Sequence, residues 1–347
     1  MITMKDLQQL GHEVHFCAVG ALKARIFEEL EPVLLKRAAE NRLTAFEEPN
    51  LQRRMNPFLL MPEVKSLITV ATSYHTTAKM SDQAAPRFNG ELARFARGLD
   101  YHRILHRQLH EMAEKLQLRV PDLKWQAYVD TGPLVDRHLA FQSGMGFYGK
   151  NNCLILPEFG SCVVLGYLLI NQPVEGCMEE QQPLKSCEGC GRCQRACPVK
   201  ALEEPYQIDP DRCLSHLLQR KENIPEMFRK SAGNKLYGCD ICQDVCPHNL
   251  QAAVTREPAM ETDGGARWLD LAHLLKLSNR MFNRLYRSRA FGWRGQRIMQ
   301  RNALLALGNT RDVEAVELAI PFLEHPRAEL REMACWAVKQ HQSRKEQ

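Results

Sequence analysis

The chain has 347 residues, room for two or three domains, and a mildly basic formal charge of +5. Its apolar runs are too short or too interrupted to span a bilayer. The N-terminus, Met1-Ile-Thr-Met-Lys-Asp-Leu7, is neither a secretory signal nor an Arg-rich transit peptide, so a cytoplasmic protein without a membrane partner is expected.

Residues 5–45 read as mainly helical, with Ile26, Leu30, Val33 and Leu34 at helical spacing. Ser66–Tyr74 is rich in β-branched residues and reads as a buried strand. A polar-faced helix is predicted over 99–117, then a short strand Trp125–Asp130 ending on an acid. Gly132-Pro133 turns into a helix running to about Gln142, and strands follow at Cys153–Leu156 and Cys162–Ile170. Residues 1–175 thus read as an α/β domain, 176–255 as a cysteine-rich domain, and 256–347 as a helical domain, with a linker over 251–267. In the tail, Arg301–Gly308 is echoed 31 residues later by Glu332–Lys339, with a helix Glu314–Glu324 and the turn His325-Pro-Arg between them. That interval suggests short HEAT-like repeats; an ordinary helical cap is the alternative.

Eight of the thirteen cysteines crowd into one stretch. Cys187-x2-Cys190-x2-Cys193-x3-Cys197-Pro198 is the run that holds one 4Fe–4S cube with three thiolates and sends the fourth to a second cube. Cys239-x2-Cys242-x3-Cys246-Pro247 is its counterpart, with Cys213 between. Pseudo-twofold exchange assigns Cys187, Cys190, Cys193 and Cys246 to cluster one. Cluster two takes Cys197, Cys239 and Cys242, and its vacancy falls to Cys213. Two clusters make a path for single electrons. Zinc, which C-x2-C pairs also suit, is the competing reading. Cys17 and Cys335 sit in apolar contexts and read as packed thiols; Cys153, Cys162 and Cys177 stay unassigned.

Gly144-Met-Gly146-Phe-Tyr-Gly149 matches G-x-G-x-x-G but follows a predicted helix and precedes a strand. A dinucleotide fingerprint needs the reverse order, so these glycines read as a close-approach loop. From Arg280 to Arg301 there are seven arginines (280, 284, 287, 289, 294, 297 and 301) and no acid, interleaved with Tyr286, Phe291 and Trp293. Arginine favours bidentate phosphate contact, and aromatics stack on unstacked RNA bases; a solvated helix face is the plainer alternative. Arg220-Lys221 adds a second basic patch.

The chain resembles the epoxyqueuosine reductases, the iron–sulfur and cobalamin enzymes of tRNA queuosine synthesis. The resemblance rests on Arg53-Arg54-Met-Asn-Pro57, Gly98-Leu-Asp-Tyr-His102, Val129–Arg137, Gly144–Asn151, Asp211-Arg-Cys-Leu-Ser215, Gly233–Cys242 and Trp293-Arg-Gly…Gln300-Arg-Asn-Ala303. It implies an α+β multidomain protein: an α/β cobalamin domain, a bacterial two-cluster ferredoxin-like domain, and HEAT-like helices. It implies two 4Fe–4S clusters feeding a base-off cobalamin, which fits the lack of a complete D-x-H-x-x-G motif. The implied reaction removes the epoxide oxygen at the wobble base of tRNA, with Asp130 as proton donor. Donation at neutral pH would require Asp130's pKa to be raised by burial away from cations. Arg54, Asp130, Leu154, Leu165, Ser215, Ile241 and Cys242 are the implied corrinoid contacts. Lys221, Arg294, Arg297 and Arg301 are the implied tRNA contacts. An external low-potential donor of flavodoxin or ferredoxin type and a monomeric state complete the expectation. Three rival readings remain: a plain ferredoxin-type carrier, a corrinoid reductase of a small molecule, and a non-catalytic iron–sulfur RNA module.

Overall fold

The computed structural model describes residues 1–76, 85–178, 187, 189–261 and 267–345. In chain order the elements are β1 (Ile2–Thr3), α1 (Met4–Glu13), β2 (Ala18–Lys23), α2 (Glu31–Ala39), α3 (Leu51–Met55), β3 (Ser66–Ser73) and β4 (Asn89–Leu92). Next come α4 (Tyr101–Arg119), β5 (Trp125–Val129), α5 (Asp136–Gln142), β6 (Phe147–Tyr148), β7 (Leu154–Ile155), β8 (Val163–Ile170) and β9 (Val174–Glu175). The cysteine-rich segment carries α6 (Arg192–Ala196), α7 (Leu214–Gln219), α8 (Glu226–Arg229), β10 (Lys235–Tyr237) and α9 (Ile241–Asp244). The tail carries α10 (Pro258–Glu261), β11 (Trp268–Asp270), α11 (Leu271–Lys276), α12 (Asn279–Tyr286), α13 (Gly295–Asn309), α14 (Ala315–Ala319) and α15 (Ala328–Lys345).

The main sheet has the order β2-β3-β8-β5 and every neighbouring pair is antiparallel. The α/β expectation for residues 1–175 is therefore corrected to an antiparallel sheet covered by helices on both faces. All eight residues of β3 are buried, and a strand buried on both faces reads alike in parallel and antiparallel sheets. Period-two alternation sorts its side chains. Ile68 and Val70 join the core made with α1 and α4, while Leu67 joins Leu34, Leu139 and Tyr167 on the other face. Strand β2 is a second correction, since 5–45 reads as mainly helical. Its residues alternate too weakly to announce a strand, and pairing of Ala18–Lys23 with β3 overrides local preference.

The main hydrophobic cluster runs through all three segments, from Leu10 and Leu105 through Leu217 and Leu236 to Leu304 and Met333. Strand β4 pairs with β10 of the cysteine-rich segment on one side and with β11 of the tail on the other. The expected linker 251–267 is pinned where it is described; 262–266 lie outside the described residues. Thr255 N donates to His75 O (2.7 Å), and buried Glu257 accepts from Arg107 (2.7 Å) and Gln108 (3.0 Å) on α4. Among the described residues no helix is long and apolar enough to cross a membrane.

In the tail, α13 packs on α15 with α14 between them in the chain. A Cβ at Gly308 of α13 would lie 2.4 Å from Trp336 Cζ3 and 2.9 Å from the Ala337 Cα. Gly308→Ala gains about 1 kcal/mol of helix propensity but loses about 1–3 kcal/mol to overpacking against a rigid indole and backbone. A net fall in thermal midpoint is the expected outcome; a rise would show that α13 and α15 separate freely. Cys335, expected to be packed, is instead exposed, because its neighbours Ala334 and Trp336 take the buried face of α15.

Candidate functional site

The active end of the main sheet is where β5 finishes and β8 begins. Val129 pairs with Gly166, so Asp130 follows directly beside Leu165, and Ser73 pairs with Val163 on the far side. Asp130 turns sharply out of the strand with φ +52°, and Thr131 N donates back to Val129 O. Helix α5 is capped at Val135 rather than by Asp130, which leaves the carboxylate free of a capping role.

The carboxylate has two partners that the sequence did not single out. Tyr101 OH donates to Asp130 Oδ2 (2.5 Å), and His102 Nε2 lies 3.5 Å from the same oxygen. Both stand on the first turn of α4. Asp100 caps that helix, accepting from His102 N (3.1 Å), and its Oδ1 also holds His102 Nδ1 (2.8 Å). One cap thus fixes the imidazole between two carboxylates. The only signal for this in the sequence is Asp-Tyr-His at a helix start.

The charge state follows from this geometry. Asp130 stands at the open end of the sheet, with 59 % of its side chain accessible although protein surrounds it on several sides. Burial raises its pKa, but the hydrogen bonds from His102 and Tyr101 outweigh that and hold it below the ordinary 3.8. The expectation of a raised pKa, away from cations, is thereby corrected: His102 is the cation. Burial alone would lower His102, but Asp100 and Asp130 outweigh it and raise it to about 9. Asp136, at the start of α5, is pushed well above its ordinary value by burial first and Asp130's charge second, and its Oδ1 has no partner.

The sign of the pH effect is fixed by these directions. His102 stabilises the fold below its ordinary pKa of 6.5, and that contribution is lost as pH rises through about 9. An NMR titration of His102 should give a midpoint near 9, falling in Asp130→Asn; a wild-type midpoint below 7 would dismiss the two-carboxylate clamp.

Helix α9 is brought against this end of the sheet. Tyr74 OH, just past β3, donates to Gln243 Oε1 (2.8 Å), and Arg94 N donates to Asp240 Oδ2 (2.7 Å), while Arg94 also pairs with Asp244. Ile241 and Cys242 are thereby held at the end of the sheet where β3 finishes. Leu154 and Leu165 pack in the same apolar group. Ser215 lies on α7, and Gln219 Nε2 donates to its hydroxyl (3.4 Å).

The thiols of the cysteine-rich segment act on one another electrostatically, with one link across the expected division, from Cys193 to Cys242. Cys246 feels Cys187 and Cys190, and Cys193 feels Cys187 and Cys246; burial is the first cause of the raised pKa in both. Burial likewise raises Cys213, Cys239 and Cys242, with Cys197 acting on Cys213, Cys213 on Cys239, and both Cys213 and Cys239 on Cys242. Of the unassigned thiols, Cys153 is pushed up to about 12 by burial and is an electrostatic neighbour of Cys242. Cys162 is buried with Arg94 Nη1 3.6 Å from its sulfur, and Cys17 is raised to about 12 by burial.

A cavity of about 930 Å³ opens beside α2 and α5, with apolar walls (Val33, Leu34, Phe141, Phe147) and Arg37, Arg54 and Arg137. Arg54 is held there by Glu47 (2.7 Å). It is the only implied corrinoid residue in this wall; Asp130, Leu154, Leu165, Ser215, Ile241 and Cys242 stand outside it.

The arginine stretch divides by environment. Arg280, Arg284 and Arg287 are exposed on and just past α12, and Lys221 is exposed. Arg297 is half-buried and pairs with Glu329 (3.3 Å). Arg294 is half-buried and lies over the rings of Trp293 and Phe46. Arg301 is 0 % exposed, which corrects its assignment to a tRNA surface. It donates to the carbonyls of Leu217 (3.2 Å), Leu218 (3.0 Å), Arg220 (2.9 Å) and Glu222 (2.5 Å), tying α13 to the end of α7.

Residues 54–131 match the family model described as "Epoxyqueuosine reductase QueG, DUF1730", and residues 186–249 match "4Fe-4S double cluster binding domain". An epoxyqueuosine reductase of Bacillus cereus is 37 % identical over 325 residues, covering 92 % of this chain and 84 % of the relative. A crystal structure of epoxyqueuosine reductase with an epoxyqueuosine-modified tRNA-Tyr stem loop superposes with a TM-score of 0.89 at 34 % identity, over 97 % of this chain and 89 % of that one. The Bacillus subtilis enzyme superposes at 0.88 and 34 % identity, over 97 % and 90 %, in a form with its aspartate catalytic loop swung out of the active site. The chain belongs to the epoxyqueuosine reductase family.

Proposed function

We propose that this protein reduces epoxyqueuosine to queuosine at the wobble position of tRNA, the last step of queuosine biosynthesis. The reaction takes two electrons and two protons and turns an epoxide into an alkene and water. The observation that carries this reading is Asp130, clamped by Tyr101 and His102 at an open sheet end against the cysteine-bearing α9.

Asp130 touches the substrate oxygen and passes to it the one proton that His102 holds at rest; the second proton comes from solvent. At neutral pH the resting pair is carboxylate and imidazolium. When a base covers the cleft and displaces water, the charged pair loses solvation and the proton moves toward the carboxylate. Tyr101 keeps Oδ2 aimed throughout.

Cys187, Cys190, Cys193 and Cys246 hold one 4Fe–4S cluster; Cys197, Cys213, Cys239 and Cys242 hold the other. The action of Cys187 and Cys190 on Cys246, and of Cys197 on Cys213, supports this division. The chain's residues also fit a corrinoid, because a large amphiphilic ligand needs broad apolar walls with a few polar groups, and the cavity at Arg54 offers both. A base-off cobalamin held at one edge by Arg54 in this cavity and otherwise by residues outside it would supply a low-potential, strongly nucleophilic cobalt. Arg54, Leu154, Leu165, Ser215, Ile241 and Cys242 are its proposed contacts. Lys221, Arg294 and Arg297 meet the tRNA, and α13–α15 form a HEAT-like hairpin behind them. An external one-electron donor of low potential completes the system, and the protein acts as a cytoplasmic monomer.

The test is direct. Reconstituted protein, a low-potential one-electron reductant and an epoxyqueuosine stem-loop should yield queuosine, seen by mass spectrometry as loss of one oxygen. An unchanged stem-loop with both clusters loaded and cobalamin supplied would reject the reading.

A further inference from the structure

We infer that Phe46, Trp293 and Arg294 form a stacking platform, built from two distant segments, for an unstacked anticodon-loop base that flanks the one being reduced. This rests on the tRNA reading above and goes beyond it by naming a second base-binding place.

Both rings are exposed, Phe46 at 41 % and Trp293 at 54 %, although large aromatics usually bury their faces. They come from chain positions nearly 250 residues apart and meet edge to face at 5.9 Å. Of the three aromatics in the arginine stretch, Phe291 is buried and Tyr286 is half-buried, so only Trp293 offers a face. Its place is fixed rather than loose: Trp293 Nε1 donates to Tyr237 OH (3.1 Å), which donates to Gln219 Oε1 (2.9 Å). Phe46 is fixed from below by the edge of His216 at 5.5 Å and through the adjacent Glu47, which grips Arg37 and Arg54 at 2.7 Å each.

Arg294 supplies the charge. Its guanidinium lies 4.5 Å over Trp293 and 5.4 Å over Phe46, yet it forms no hydrogen bond or ion pair with any described residue, and its Nε is buried without a partner. A cation held over two rings with uncommitted donors matches a base edge or its phosphate. Its charged neighbours are mainly Arg297 and Glu222, with Arg220 and Arg301 in the same group. The platform is also continuous with the acid site. From Trp293 the rings run through Tyr237 to Phe95 (5.9 Å) and Tyr101 (6.2 Å), whose hydroxyl holds Asp130. A base stacked here therefore belongs to a nucleotide near the reacting one.

The experiment measures stem-loop binding to the holoprotein and its Phe46→Ala, Trp293→Ala and Trp293→Phe variants. Salt is varied, and single abasic nucleotides are scanned through the anticodon loop. Each alanine variant should weaken binding roughly 5- to 100-fold, the usual worth of one base–aromatic stack. The slope of log affinity against log salt should not change, because no phosphate contact is lost. One abasic position should reproduce the loss in wild type and add nothing in Trp293→Ala, and Trp293→Phe should keep most of the affinity. Wild-type affinity in both alanine variants, or additive losses at every abasic position, would overturn the platform. Full stem-loop affinity with slowed reduction by the donor would also overturn it, giving the surface to the donor protein. If wild type neither binds nor reduces the stem-loop, the functional reading fails; if wild type does both and the variants match it, only the platform fails.

Discussion

Asp130→Asn should cut turnover of the epoxyqueuosine stem-loop by about 10²–10⁴-fold, the usual worth of a positioned proton donor, while both clusters remain loaded. Asparagine preserves the size of the side chain and can still accept from Tyr101. It removes the charge that faces His102 and the ability to pass a proton to an oxygen. The fault should lie in single-turnover rate rather than in stem-loop affinity. Two further readouts follow from the clamp. His102 loses one of its two carboxylates, so its pKa falls from about 9 toward 6.5. Tyr101→Phe should give a smaller loss, because it frees the carboxylate to swing without removing the proton. Turnover in Asp130→Asn close to wild type would remove the donor assignment, whatever happens to His102.

Arg301→Met should lower stability by about 3 kcal/mol or more, with a midpoint drop of roughly 5–10 °C, and no tRNA effect beyond the loss of folded protein. Methionine keeps much of the packing volume, so the loss reads out hydrogen bonds. Four backbone carbonyls, of Leu217, Leu218, Arg220 and Glu222, lose the donor they share, the first two of them on fully buried residues. Each orphaned carbonyl costs about 1–3 kcal/mol, offset by no longer burying a guanidinium. Asn302 still bonds Leu218 O and Leu236 O (2.8 Å each), so that part of the junction survives. Arg301→Lys should fail nearly as badly, because one ammonium cannot span four acceptors. A folded, equally stable Arg301→Met that binds tRNA weakly would restore the surface role.

The sequence was most legible where chemistry demands fixed spacing. The cysteine runs announce two clusters because a cube leaves little freedom in ligand order, and β3, β5 and β8 announce themselves as β-branched or apolar runs. Strand direction was not legible, since β3 is buried on both faces in either sheet type. Strand β2 was hidden because its pairing comes from β3, more than forty residues away. Arg301 illustrates the same limit in the tail. Seven arginines with no acid among them suggest one charged face, but on α13 a helical turn separates half-buried Arg297 from Arg301, which points into α7. The state of Asp130 was out of reach for a related reason. Its pKa depends on His102, and only the fold of α4 against β5 reveals that the histidine, capped by Asp100, faces it. Phe46 carries no local signal at all; its partner ring is in the tail.

The central claim is epoxyqueuosine reduction in tRNA, and bulk tRNA from cells lacking this gene tests it most directly. Nucleosides are measured by mass spectrometry, with and without complementation by the wild type and by Asp130→Asn. Epoxyqueuosine should accumulate in the deletion, convert to queuosine with wild type, and persist with Asp130→Asn. Normal queuosine in the deletion, in cells with no second enzyme for this step, would contradict the account.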